Sequence, residues 1–114
     1  MFVFLEVESN IQIGNVVSYN SNLQKWSLAS DESSLIGIVN SVPEISEDKL
    51  IAKIVFSGST FAIADRVIPN EGGNLAVLNG KVYVDNTKDC GIISPAIVNS
   101  SQRQADELVM IHIR

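Results

Sequence analysis

The sequence predicts an all-β fold: a single small β-barrel or β-sandwich of about eight to ten short, mostly antiparallel strands with little helix. Three observations predict it. Apolar runs stay short before Asn, Ser, Gly or Pro interrupts them. Several alternate apolar and polar residues with the period of two that a half-buried strand requires, and no stretch repeats at helical spacing. With 114 residues, the chain suffices for one domain, residues 1–114, around a single core.

Residues 2–7 form the first strand, with Phe2, Phe4 and Glu6 alternating against Val3, Leu5 and Val7 until Glu8, Ser9 and Asn10 stop the run. Its apolar residues on both sides predict burial of two faces or a subunit contact rather than an exposed edge. Residues 16–19 form a second strand. Asn20, Ser21 and Asn22 close a turn, because Asn tolerates left-handed backbone and bonds its own neighbours, and residues 23–28 return with Trp26 as the hairpin partner. Residues 35–39 are a continuous apolar run of the kind a buried strand shows. Residues 43–48 carry Glu44, Glu47 and Asp48 and read as an exposed, mobile loop with room for one helical turn.

Residues 49–56 alternate and meet residues 60–64 through Ser57, Gly58 and Ser59, the strongest hairpin signal in the chain. Residues 75–78 and 81–84 are joined by Asn79 and Gly80, a pair suited to a type I′ turn, whose two central residues both need positive φ. A strand over 92–98 is interrupted by Pro95, which removes a ladder donor and marks an edge or a bulge. A polar stretch over 99–107, with room for one helical turn, leads into the last strand, residues 108–113. One internal echo stands out: residues 14–20 resemble residues 80–86, and each is followed by a Gly-Ile run at Gly37 and at Gly91. The unequal spacing excludes a solenoid, which needs a fixed period, and leaves two related half-barrels or chance.

Composition excludes several functions. Thirteen acids against eight bases leave a formal charge of −5, too acidic for the clustered Lys and Arg that displace counterions from nucleic acid. The first residues lack a basic lead and the apolar run is too short for a span, so neither a signal peptide nor a membrane association is expected. A single cysteine, Cys90, forms no internal disulfide, as suits assembly in a reducing cytoplasm. With 46% hydrophobic and only 18% charged residues, a chain this small carries more apolar surface than one core hides, and self-association is the expected outlet.

No catalytic residue, cofactor or metal site is expected. Gly72 and Gly73 lack the spacing and the following helix of a phosphate cradle. Cys90 stands beside Asp89 with no cation to activate its thiol, and the stretch from Asp85 to Asp89 places Lys88 inside what would be a calcium loop. The acidic pairs Asp31-Glu32, Glu47-Asp48 and Asp106-Glu107 fall in polar intervals where solvent keeps ordinary carboxylate behaviour. His112 is the only histidine. On a strand face shared with Leu108 and Met110, it suits packing, or a cluster of three imidazoles at a trimer axis. Trp26 suits a core or an interface. Phe2, Phe4, Trp26, Met110 and His112 are therefore the candidate interface residues.

The succession Gly14-Asn15-Val16-Val17-Ser18-Tyr19, Lys25-Trp26-Ser27-Leu28-Ala29 and Ile36-Gly37-Ile38-Val39 resembles the "G-D-V-V", lysine-led and "I-G-V-V" strands of small head-decoration proteins and related fibre and spike domains of tailed bacteriophages. Asn15 stands where that pattern has Asp. The later run from Leu75 to Val84 is similar to an "A-V-x-G-x-V-x-V" strand pair of the same domains. The resemblance implies a β-rich, usually trimeric protein that sits on the major capsid protein of an assembled shell and reinforces it without catalysis. It implies assembly in the host cytoplasm and a final place on the virion surface. Phe2 starts a strand at once, where some decoration proteins have a disordered arm. A tail or fibre accessory protein and a small-molecule-binding β-barrel are the alternatives.

Overall fold

A computed structural model describes residues 1–96 and 102–114. Eleven strands are present: β1 Phe2–Glu6, β2 Val16–Asn20, β3 Lys25–Leu28, β4 Ile36–Val39, β5 Glu44–Ser46, β6 Lys49–Val55, β7 Gly58–Ile63, β8 Gly73–Leu78, β9 Lys81–Val84, β10 Ile92–Ser94 and β11 Leu108–Ile113. The described residues contain no helix, and every ladder between these strands is antiparallel. The all-β expectation therefore holds, with eleven strands shared between two sheets.

The first sheet runs β1-β6-β4-β2-β3, with β5 added beside β6; the second runs β7-β11-β10-β8-β9. These orders are the same path. Replacing β7, β8, β9, β10 and β11 by β1, β2, β3, β4 and β6 turns the second into the first. Each sheet curls until its first strand touches its third at one parallel bridge, Val7 with Trp26 and Ala64 with Val82. Matching the inward-facing positions of paired strands makes Val7 equivalent to Ala64, Val17 to Leu75, Trp26 to Val82 and Ile54 to Ile111. The chain is thus two five-stranded units of one topology, and the molecule measures 44 × 25 × 23 Å.

Two related halves were one of the readings left open by the sequence echo, but the echo itself is out of register. Residues 14–20 lead into β2 and residues 80–86 carry β9, which are not equivalent strands. The counterpart of Gly14 is Gly72. Both have positive φ (90° and 69°), and each lies against the end of the equivalent strand: Gly14 N–H donates to Val39 O, and a side chain on Gly72 would strike Ser94 O.

Two apolar clusters follow from this arrangement. The first unit encloses Val7, Ile11, Val17, Val39, Ala52 and Ile54. The second encloses a larger set that includes Leu75, Val77, Ile92 and Ile111, and this set is completed from outside by Val16, Ile36, Ile38 and Val55, the outer face of the first sheet. Backbone bonds seal the junction: Ile63 N–H donates to Gly14 O (2.9 Å), Val16 N–H to Gly80 O (2.8 Å) and Gly80 N–H to Ala29 O (2.7 Å). Residues 14–16 are therefore wedged between β7 and the start of β9.

Several local expectations are corrected. The segments on either side of Ser57-Gly58-Ser59 do not form a hairpin: β6 lies in the first sheet and β7 in the second, so the turn is the crossover between units. Turn chemistry looks the same whether a chain folds back on its own sheet or passes to another. Residues 43–48 form no helical turn. Glu44–Ser46 pairs with the start of β6, and Glu47 and Asp48 take positive φ (51° and 64°) in the tight turn between them. The Asn79-Gly80 turn is as expected, with φ of 48° and 81°. Of the 92–98 strand, Ile92–Ser94 forms and residues 97–98 lie outside the described residues, as do 99–101 of the expected helical turn. At 102–107, Arg103 instead bridges Ile68, and Glu107 N–H closes a turn on Gln104 O (3.2 Å).

Candidate interaction surface

The first strand is paired on one side only over most of its length. Phe56 N–H donates to Met1 O and Val7 N–H to Leu50 O (2.9 Å each), so the backbone groups of Met1, Val3, Leu5 and Val7 face β6. Alternation along an antiparallel ladder then sends those of Phe2, Phe4 and Glu6 to the other side. There the backbone of β3 bonds only beside Val7 and Trp26, through Glu8 N–H to Trp26 O (3.0 Å), with the Lys25 ammonium 3.8 Å from the Glu6 carboxylate next to it. From Met1 to Leu5 the outer edge of β1 meets no strand among the described residues.

Both faces of this edge are apolar. Outward lie Phe2 and Phe4, 51% and 64% exposed, with rings edge to face at 6.0 Å and Lys53 Nζ 4.2 Å above the Phe2 ring. Inward, where β1 and β3 diverge, the core of the first unit opens into a cleft of about 330 Å³ walled by Met1, Val3, Leu5, Trp26, Leu35 and Phe56. Trp26 stands at its back in a short aromatic row, 5.4 Å from Phe56 and 5.9 Å from Tyr19. A broader groove of about 740 Å³ on the outward side is mixed in character, lined by Phe4, Val42, Ile45 and Ile51 together with Ser41, Glu44 and Ser46, and Ile45 is 80% exposed.

The structure brings three of the five candidate residues, Phe2, Phe4 and Trp26, to this region. Met110 and His112 lie on the second sheet. Their strand shows the expected alternation, with Leu108, Met110 and His112 outward and Val109, Ile111 and Ile113 buried. His112 Nδ1 lies 3.3 Å from Ser59 Oγ. Val3 and Leu5 were noted in the sequence only as the second apolar side of the first strand, and Leu35 and Phe56 were not singled out. Their apolar character suited an ordinary core, and only the divergence of β1 from β3 exposes them.

The polar groups show no convergence on this surface. Cys90 is half-buried, its Sγ donates to Leu75 O (2.9 Å), and burial pushes the thiol above its ordinary value. Asp85 caps its own turn by accepting from Thr87 N–H (3.0 Å) and Thr87 Oγ1, which lowers its pKa. No group of His, Cys, Asp or Glu suited to a metal ion occurs among the described residues, and no helix long and apolar enough to cross a membrane. One expectation about the acidic pairs is corrected. Glu32 pairs with Lys88 (3.0 Å), accepts from Val77 N–H (3.3 Å) and is only 15% exposed, and the lysine holds its carboxyl below the ordinary range. Asp31 is also lowered, by its bonds from Ser33. Sequence spacing gave no signal that residue 32 would meet residue 88.

Comparison of the chain with protein families, with curated proteins and with solved structures finds no match.

Proposed function

We propose that this chain is a non-enzymatic structural protein of a tailed-phage virion, a homotrimeric decoration or cement protein that binds the major capsid protein of an assembled shell and stabilises it. The observation that carries the reading is the exposed apolar edge of β1 beside an apolar cleft. A small β protein with an unpaired hydrophobic strand is equipped to attach to another folded surface by strand addition. On a lattice of repeated sites, modest contacts made by several joined copies multiply into stable attachment. The apolar walls of the cleft favour a protein surface over a small polar ligand as its occupant. The resemblance of residues 14–39 and 75–84 to decoration-protein strands supports the same reading.

The test is co-sedimentation of the purified chain with assembled capsid shells of its phage, with dissociated capsid subunits as the control. Saturable binding to shells at a fixed ratio to lattice sites, and a raised melting temperature of the shell, are the expected results. Absence of binding at high micromolar concentration overturns the reading.

A further inference from the structure

Asn79 and Gly80 form the one Asn-Gly step in the chain, at the turn between β8 and β9. An asparagine before glycine is chemically self-reactive. The glycine amide nitrogen reaches the asparagine side-chain carbonyl in a five-membered ring, and glycine has no side chain to hinder the approach. In this fold Asn79 is exposed and Gly80 is buried, so the target faces solvent while the attacking nitrogen is shielded. That nitrogen is also held. Gly80 N–H donates to Ala29 O (2.7 Å) and Asn79 N–H to Ser30 O (3.2 Å), while Gly80 O accepts from Val16 N–H (2.8 Å) and from Asn15 Nδ2 (3.4 Å). A Cβ built on Gly80 would lie 2.5 Å from Leu28 Cδ2, so the Leu28 side chain lies against the glycine. All of these partners come from the first unit, although the turn belongs to the second.

We propose that Asn79 is a site of spontaneous deamidation that the junction between the two units keeps closed, and that it opens when the units part. Ring closure needs the Gly80 amide to give up its proton and its nitrogen to turn onto Asn79 Cγ. Both acts break the bond to Ala29 O. Once the turn is free, Gly80 N bonds to Asn79 Cγ, the Cγ–Nδ2 bond breaks, and ammonia leaves carrying the amide proton. Water then opens the succinimide ring in one of two places. Breaking the new bond at Cγ restores the backbone with aspartate at position 79. Breaking the original peptide bond leaves the chain routed through Cγ as isoaspartate, one methylene longer. The two products differ in consequence. Asp-Gly suits the same turn type, so the aspartate form rebuilds the junction. The longer backbone cannot bring Gly80 N–H to Ala29 O and Gly80 O to Val16 N–H together, so the isoaspartate form does not. Each separation of the units therefore exposes the chain to a permanent chemical mark.

The site does not depend on the virion reading, and either stands if the other fails. The test incubates the full chain at mildly alkaline pH in buffer, in graded guanidinium chloride below the unfolding transition, and above it. Peptide mapping by mass spectrometry follows conversion of Asn79, with Asn79→Gln in denaturant as the blank. In buffer, conversion should be at least about 10-fold slower than in the unfolded chain. Its rate should climb with denaturant below the transition, because denaturant promotes only openings that expose surface. Ile38→Ala, which loosens the roof over the second unit and leaves the Asn-Gly step in place, should speed conversion in buffer by about 10-fold or more. If that variant does not fold, the denaturant series on the unmodified chain decides alone. After refolding, isoaspartate should be confined to chains that do not regain the native melting transition. Equal rates in buffer and in denaturant would overturn the protection. A slow rate that denaturant leaves flat would place the guard in the turn itself and overturn the role of the junction. Isoaspartate in fully native chains would overturn the permanent mark.

Discussion

In the second unit the space between its first and third strands is wedged open by Gly14, Asn15 and Val16 and roofed by Ile36, Ile38 and Val55, whereas in the first the same space faces solvent over Val3, Leu5 and Phe56. Topology alone therefore does not decide what a surface does. Equivalent residues have opposite fates. Val3 is 39% exposed, while its counterpart Thr60 is 6% exposed beside a filled interior. A five-stranded sheet of such short strands curls without zipping shut, leaving a gap that something must cover. In the second unit the cover is the other half of the chain; the gap of the first unit has no such cover among the described residues.

If the covered gap holds the molecule together and the open one does not, truncation should separate them. Ile38→Ala, in the fully buried roof of the second unit, should cost about 4 kcal/mol in denaturant unfolding, against less than about 0.5 kcal/mol for Val3→Ala in dilute monomer. Equal losses would erase the distinction. A side chain at Gly72 would lie 2.1 Å from the Ser94 carbonyl oxygen at positive φ, so Gly72→Ala should cost about 3 kcal/mol. Gly58→Ala, at the crossover, meets nothing within 4 Å and should cost only the strain of its φ of 95°, about 1 kcal/mol.

A smaller effect of opposite sign tests the equivalence of inward positions. Ser94 is buried, its Oγ has no hydrogen-bond partner among the described residues, and it occupies the place held by Val39 in the first unit. Ser94→Val should raise stability by about 1 kcal/mol in the same assay. A loss would mean that the two cores are not packed alike.

The smallest effect concerns the Glu32–Lys88 pair that ties a loop of the first unit to the second. The Glu32 carboxyl is held below its ordinary value of 4.5, so its contribution is fully present above that value and lost as the pH falls through the lower folded value. Lys88 is raised above 10.5 by the same partner, so its share is complete below 10.5 and lost as the pH rises through the raised value. Glu32→Gln should slightly lower the denaturation midpoint at neutral pH, with the gap closing in acid. A constant gap down to pH 3 would mean that the pair contributes nothing.

Much of the local structure was legible because its causes are local. Alternation marked β1, β6 and β11, the continuous apolar run from Leu35 marked β4, and Asn79-Gly80 announced its turn through the backbone freedom those residues possess. The turn through Glu47 and Asp48 was illegible, because acidic residues at positive φ are uncommon and the strand Glu44–Ser46 is exposed throughout. Of the candidate interaction surface, Phe2 and Phe4 were readable as apolar residues on a strand with too many apolar faces. The cleft behind them was not, since Leu5, Trp26, Leu35 and Phe56 come together from four separate segments.

The sequence by itself determined that the chain is built of short strands, where most of them lie and which side of each is apolar. Those properties follow from side-chain periodicity and turn residues within a few positions of one another. Only the tertiary structure decided which sheet each strand joins, that the halves share one topology, and that one gap is filled while its twin is open. An apolar strand face is satisfied by whichever surface covers it, and hydrogen bonds between strands as far apart in the chain as β1 and β6 leave no mark on either segment alone.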